Sequence, residues 1–418
     1  MLLDRLSGRR EPAADPGGPP PRRRAARPWA ALALVLGVIA VLGFAAGRLL
    51  GGGGDDGAKG GLADLPSPAA APEIRPERQP AQVVARRLPL NRLVSQMFAV
   101  GLAGPRPSRA FVAGLRTHDW GAIVFDEPNF RDPLQFRALT SKLSLTVRRA
   151  RHLPPLLAYA GPSTRSPASL GRLNRPSLAK ADARSAGRRL MANGLNMTLE
   201  PPADVTAPEG PFEESSFADD PAVVTRFVAA ALAGYRQVGM IAAVGQFPGA
   251  GAASGDPDLQ AASVGLSLPE LEKRDLRPFA AVAGRAPVIA LSNALYAAFG
   301  GATPASLSPE VGKLLRKRLG FRGVAMTADL PAAATTTGSS IGPAAVAAVR
   351  AGADLLYVPG GPREQEAAYR AVVRAARREE ISIARLRASV ARIVALKRRH
   401  GLFVRLRRLQ APRRGATE

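Results

Sequence analysis

The chain of 418 residues has no cysteine, three histidines and only seven lysines among its 58 basic residues. Without cysteine there are no disulfides, no thiolate metal sites and no thiol nucleophile. His118, His152 and His400 are the whole imidazole supply, too little for a multi-histidine metal centre. No metal or other cofactor is expected. No GxGxxG turn joins a strand to a helix, so the usual dinucleotide signal is missing. Aromatic residues make up 5% of the chain, and a lone Phe403 stands within the basic runs. Single-strand binders stack bases on such aromatics, so the formal charge of +25 is not read as a nucleic-acid footprint.

What is present is unevenly placed. Residues 1–28 hold seven Arg against Asp4, Glu11 and Asp15. Residues 374–418 hold fourteen Lys and Arg against Glu379, Glu380 and Glu418. Trp29–Gly47 is nineteen residues without a charge. As a helix it reaches about 28 Å, enough to cross a hydrocarbon core. Arg22, Arg23, Arg24 and Arg27 precede it, which places the N-terminus in the cytoplasm and the rest of the chain outside. A cleaved signal peptide is the rival reading, although the apolar stretch exceeds the usual signal core of about 7–15 residues. Glycine and proline dominate the segment that follows, which cannot bury a core. The expected organisation is a basic cytoplasmic tail at 1–28, a single transmembrane anchor at 29–47 and a flexible linker at 48–87. A folded domain at 88–404 and a basic tail at 405–418 complete it.

Within the folded domain, short apolar runs alternate with helical patterns. Strands are predicted at Met97–Gly101, Ala122–Phe125, Pro155–Tyr159, Asn196–Glu200, Ile241–Gly245, Val288–Leu291, Val324–Thr327 and Asp354–Val358. Helices are predicted between them, including Leu268–Ala283 and Pro309–Leu319, with Ser382–Arg399 as a basic terminal helix. Eight such pairs predict an α/β fold, a (β/α)8 barrel of the TIM type with its active face at the strand C-terminal ends. A doubly wound open sheet is the alternative.

The loops carry motifs in a fixed order. Gln246-Phe247-Pro248-Gly249-Ala250-Gly251 follows the fifth strand. Asp275-Leu276-Arg277-Pro278-Phe279, Leu319-Gly320-Phe321-Arg322-Gly323, Asp329-Leu330 and Ala351-Gly352-Ala353-Asp354-Leu355-Leu356 come after it. Together they resemble glycoside hydrolase family 3, specifically the single-barrel bacterial β-N-acetylhexosaminidases, over about residues 88–404. The resemblance implies a retaining mechanism. An Asp after the seventh strand attacks the anomeric carbon, and a His on the loop after the fifth strand is acid and base.

At those positions the chain departs from the pattern. The family's T/S-D-D-L reads Thr327-Ala328-Asp329-Leu330, so a methyl group stands where the nucleophile belongs. Strand alternation turns Asp329 away, and it substitutes only if the backbone shifts. The family's K-H-F-P-G-H-G has Gly245, Gln246 and Ala250 at its Lys and His positions, and its D-x-H reads Asp256-Pro257-Asp258. Asp258 thus takes the acid/base place. A carboxyl can donate a proton, but a solvated loop Asp beside Pro257 is the simpler reading. The family's sugar-clamping D-Q-E-G-G is Gly161-Pro162-Ser163-Thr164-Arg165, the Arg of R-S-F is Ser215, and the His after the sixth strand falls at Ser292 or Asn293. Ala328 and Asp258 are therefore vestigial catalytic positions, with Asp329 and Asp256 as candidate substitutes. Asp204 and Gln246 are candidate sugar contacts, and Asp204 fits a structural turn equally well.

His118 and His152 fall on the barrel's N-terminal side, where a structural role is expected. The arginines of Ser382–Arg399 make a solvated face or meet anionic lipid headgroups or wall polymer. These features predict a membrane-anchored, extracytoplasmic pseudo-glycosidase with a glycan-binding or scaffolding role at the cell envelope. Its partner would be an envelope glycan or an envelope protein, not nucleic acid. The alternative is an active β-N-acetylhexosaminidase-like hydrolase of amino-sugar, peptidoglycan-type glycans.

Overall fold

The structure is a computed structural model that describes residues 79–208 and 210–403. The anchor expected at 29–47, both basic tails and most of the linker lie outside the described residues. Among the described residues no helix is long and apolar enough to cross a membrane.

Ten strands form: β1 Phe98–Gly101, β2 Ala122–Phe125, β3 Leu156–Tyr159, β4 Met197–Thr198, β5 Ile241–Phe247, β6 Ser263–Val264, β7 Val288–Leu291, β8 Leu295–Tyr296, β9 Val324–Asp329 and β10 Leu355–Val358. Eight of them, all parallel, close a barrel in the order β1-β10-β9-β7-β5-β4-β3-β2. Pairing of Phe98 with Leu356 makes the closure, so the open-sheet alternative is excluded. β6 and β8 form a separate two-stranded sheet.

The strands read as near-continuous apolar runs because both their faces are buried. Ala99, Val124, Leu156, Ala158, Met197, Ile241, Ala243, Val288, Val324, Met326 and Leu355 form one cluster, the barrel interior. Their neighbours Phe98, Val100, Ile123, Phe125 and Leu157 belong to a second cluster shared with the helices. Local chemistry starts the helices where the sequence predicts. Asp132 accepts from Gln135 N–H at 2.8 Å and Asp220 from Ala222 N–H at 2.7 Å, each just before a proline in the first turn.

Two expectations need correction. The helix predicted at Leu268–Ala283 breaks at Arg274-Asp275 into Leu268–Lys273 and Leu276–Val282. Asp275 is fully buried there, and the Arg274 guanidinium turns to the carbonyls of Val205 and Thr206. The stretch read as the end of the linker also holds the helix Ala81–Arg87, which buries Ala81, Val84 and Ala85 in the core. Packing thus begins ahead of Leu88.

The terminal helix Ile383–Arg399 closes the N-terminal end of the barrel, adding Ile393 and Leu396 to the interior cluster. Its arginines are not all on a solvated face. Asp354, fully buried before β10, pairs with Arg392 at 3.0 Å, Arg385 at 3.4 Å and Arg316 at 2.5 Å. It also accepts from Ser389 Oγ at 2.6 Å and Ala325 N–H at 3.1 Å. His118 stands on the same side of the barrel, between Trp120 and Tyr369, with Nε2 2.8 Å from Glu366. His152 Nε2 lies 3.1 Å from the Arg116 carbonyl.

Lys397 on this helix is fully buried, and its ammonium donates to Gln96 Oε1 at 2.7 Å. Gln96 in turn donates to Asp119. Burial pushes the Lys397 pKa down to about 7, against the opposing pull of Asp119. The folded chain therefore loses this proton well before the unfolded chain does. Stability should rise with pH from about 7 towards 10, by up to about 1.4 kcal/mol per pH unit. Lys397→Met should flatten that rise. Thermal melts from pH 7 to pH 9.5 check it, and an undiminished slope in the variant would contradict the assignment.

Candidate active site at the barrel mouth

β9 does not keep register with β10. Met326 pairs with Leu355, but Asp329 pairs with Tyr357, one residue further along than regular pairing allows. Thr327 accommodates the shift, its Oγ1 accepting the Tyr357 N–H at 2.9 Å. This backbone shift is the condition that strand alternation set for Asp329, and it brings that residue alongside Tyr357. The Asp329 carboxylate caps the helix Leu330–Thr336 by accepting Ala332 N–H at 3.0 Å. Burial raises its pKa, with the charge of Glu364 adding to the effect. Ala328, next to it, offers only a methyl group.

The loop after β5 is fastened down. Asp256 Oδ1 accepts Asp258 N–H at 2.9 Å across Pro257, a turn of the Asx type. Asn293, fully buried after β7, donates from Nδ2 to Asp258 Oδ1 at 2.7 Å and to the Asp329 carbonyl at 2.6 Å. Ser306 Oγ donates to Asn293 Oδ1 at 2.7 Å and fixes the amide. Pairing of Ser263 with Leu295 in the β6–β8 sheet ties the same loop to the segment after β7.

The reading of Asp258 as a solvated loop residue is therefore corrected. Burial pushes its pKa up to about 7; the Asn293 bond opposes this, and the nearby charges of Asp329 and Asp256 add to it. Near neutral pH the group is protonated about half the time, as a general acid requires. Tyr357, partly packed on the barrel interior, stands among the same groups. Burial, then the charges of Asp126, Asp329 and Asp258, raise its hydroxyl well above the usual tyrosine range.

The other sequence candidates hold loops in place. Asp204 is buried and accepts Ala250 N–H at 2.7 Å and Gln246 N–H at 3.2 Å, which secures the turn after β5. Burial raises its pKa to about 6, against the lowering effect of those two bonds. The Gln246 side-chain Oε1 is buried without a hydrogen-bond partner among the described residues. Glu200 after β4 accepts from Ser163 N–H at 3.0 Å, from Ser163 Oγ at 2.7 Å and from the Tyr235 hydroxyl. It pulls inward the loop that occupies the D-Q-E-G-G place.

The mouth thus assembles Asp258, Asp329, Asn293, Tyr357 and Asp126. It leaves Asp204 and Asp256 holding turns. In the sequence Asn293 stands only where the family has a histidine, and Tyr357 is concealed within an apolar strand. Among the described residues no group of three or more His, Cys, Asp and Glu could hold a metal ion.

The sequence model of the glycosyl hydrolase family 3 N-terminal domain matches residues 90–396. A β-hexosaminidase of Stenotrophomonas maltophilia is 32% identical over 183 residues, 43% of this chain and 54% of that protein. The chain thus spans about half the length of that relative. The β-hexosaminidase LpqI of Mycobacterium tuberculosis is 28% identical over 354 residues, 79% of this chain and 88% of the relative. A solved glycoside hydrolase family 3 β-N-acetylglucosaminidase from a Paenibacillus strain matches at 27% identity with a TM-score of 0.72. That match covers 79% of this chain and 65% of the other.

Proposed function

The chain belongs to glycosyl hydrolase family 3, and from that premise we propose that it binds amino-sugar glycan at the barrel mouth and has lost double-displacement hydrolysis. The segment 29–47 anchors it, with the barrel on the outer side of the membrane facing envelope glycan. The observation that carries this reading is the methyl group of Ala328. Retaining cleavage needs a carboxylate on the anomeric carbon opposite the acid. The neighbouring Asp329 carboxylate is engaged in capping a helix. The acid/base place holds Asp258, bonded to a buried amide where the family has an imidazole.

One arrangement favours a second reading, an active hexosaminidase. Asn293 holds Asp258 against the Asp329 backbone, and Asp258 is poised to protonate a leaving oxygen near neutral pH. The purified full-length chain assayed with an aryl β-N-acetylglucosaminide separates the two. The first predicts no turnover above buffer together with saturable binding of N-acetylglucosamine oligomers. The second predicts turnover that falls as pH rises through about 7, when Asp258 loses its proton, and that disappears in Asp258→Asn. Turnover with that pH profile would overturn the binding-only reading.

A further inference from the structure

Two hollows lie at the N-terminal end of the barrel, opposite the mouth. One, of about 520 Å³, is where Pro80 and Ala81 meet Gly401 and Phe403, so the chain enters and leaves the folded domain at one place. The other, of about 370 Å³, runs under the starts of β7 and β9 between Pro287 and Arg322. They share Gln82, Ala395 and Arg399 and form one groove along the terminal helix. No carboxylate lines either hollow. Arg392 is engaged with Asp354 and Arg398 with the Gln79 carbonyl. The side chains of Arg322 and Arg399 are exposed and make no hydrogen bond or ion pair among the described residues.

The sequence beyond the described residues is basic on the C-terminal side. After Phe403 come Arg405, Arg407, Arg408, Arg413 and Arg414 against Glu418 alone. Before Gln79, the 31 residues 48–78 lead back to the apolar segment 29–47. A Gly-rich linker of that length has a root-mean-square reach of about 30 Å, so a tethered barrel stays within roughly its own diameter of the bilayer. Guanidinium groups bind phosphate oxygens in a bidentate fork and suit headgroups better than ammonium does.

We propose that this arginine-lined face docks on an anionic bilayer. The barrel mouth then points away from the membrane, towards glycan. The proposal takes from the reading above only the tether at 29–47.

The absence of cysteine provides a clean test, because one introduced cysteine carries the only label. Full-length chain is reconstituted in vesicles of phosphatidylcholine alone or mixed with phosphatidylglycerol, with a quencher attached to the headgroups. A fluorophore on Ala388→Cys reports the groove, and one on Leu259→Cys reports the mouth, where Leu259 is 84% exposed. Quenching at position 388 should be at least about twofold stronger in the anionic vesicles and should vanish in molar salt. It should also vanish in the Arg322→Glu, Arg399→Glu double variant, while position 259 stays unquenched throughout.

Equal quenching at position 388 in both lipids, or no change on charge reversal, would overturn the proposal. So would a soluble glycerol-phosphate polymer protecting position 388 where anionic vesicles do not, an outcome that assigns the face to wall polymer. Flotation of the protein with both kinds of vesicle reads the anchor separately, so failure of the tether and failure of the docking face are distinguishable.

Discussion

Asp354→Ala should cost about 3–5 kcal/mol of stability, a large share of the roughly 5–15 kcal/mol that holds a typical domain. The carboxylate is fully buried and sits among Arg316, Arg385 and Arg392, with Ser389 and the Ala325 amide completing its shell. Burial lowers the pKa of Arg316 and Arg385, the direction expected of cations withdrawn from water. Removing their common partner leaves three guanidinium groups facing one another beneath the barrel. The charge is thus the larger part of the loss. Asp354→Asn keeps the volume and one acceptor oxygen but should still lose about 2 kcal/mol or more. A double variant that also carries Arg392→Met should lose less than the sum of the two single changes, because one stranded cation is gone. Urea unfolding of the parent chain, the single variants and the double variant measures this. A loss below about 1 kcal/mol in Asp354→Ala would mean that water reaches the cluster and screens it.

Asp354 also illustrates how far the sequence could be read. It sits in the Gly352-Ala353-Asp354-Leu355 motif and was legible as a scaffold residue, since the motif marks the entry to a barrel strand. The barrel itself was legible because fully buried parallel strands leave an unbroken apolar signature, and β2 and β7 have the predicted limits. What the sequence concealed depends on side chains competing with the backbone, or on loops meeting across the fold. The shift in β9 exists because Thr327 Oγ1 takes the Tyr357 N–H that a regular ladder would give to a carbonyl. Alternation cannot foresee such a substitution. Asn293 matters because it lies between a loop from β5 and the end of β9, two segments separated by about seventy residues in the chain. That same proximity half-buries Asp258, which beside Pro257 reads as a solvated loop residue. The candidate site was thus legible as positions and illegible as an environment.

The Ala328→Asp, Asp258→His double variant asks whether those positions still face one glycosidic bond. If the chain is a hexosaminidase scaffold that lost its chemistry at two points, the pair should raise aryl β-N-acetylglucosaminide turnover at least about 100-fold above the parent chain. Either change alone should do much less. In Ala328→Asp alone the new carboxylate must rely on Asp258, whose oxygen the Asn293 amide holds, and an acid without a nucleophile leaves the oxocarbenium-like transition state unsupported. Groups that act as a unit give such non-additive gains. The structure sets two conditions on the result. Ala328 is half-buried beside the Thr327 shift, so the added carboxylate must find its place without undoing the Thr327–Tyr357 bond. An imidazole at 258 must also give Asn293 Nδ2 an acceptor or free the loop that Asn293 now clamps. Retained melting temperature shows that both conditions are met, and a rate that falls above about pH 7 shows the new histidine at work. A folded double variant without turnover would carry a different meaning. The loops left by the lost clamps, above all Gly161–Arg165 drawn onto Glu200, would then hold the sugar in a pose that no longer presents its anomeric carbon to Ala328.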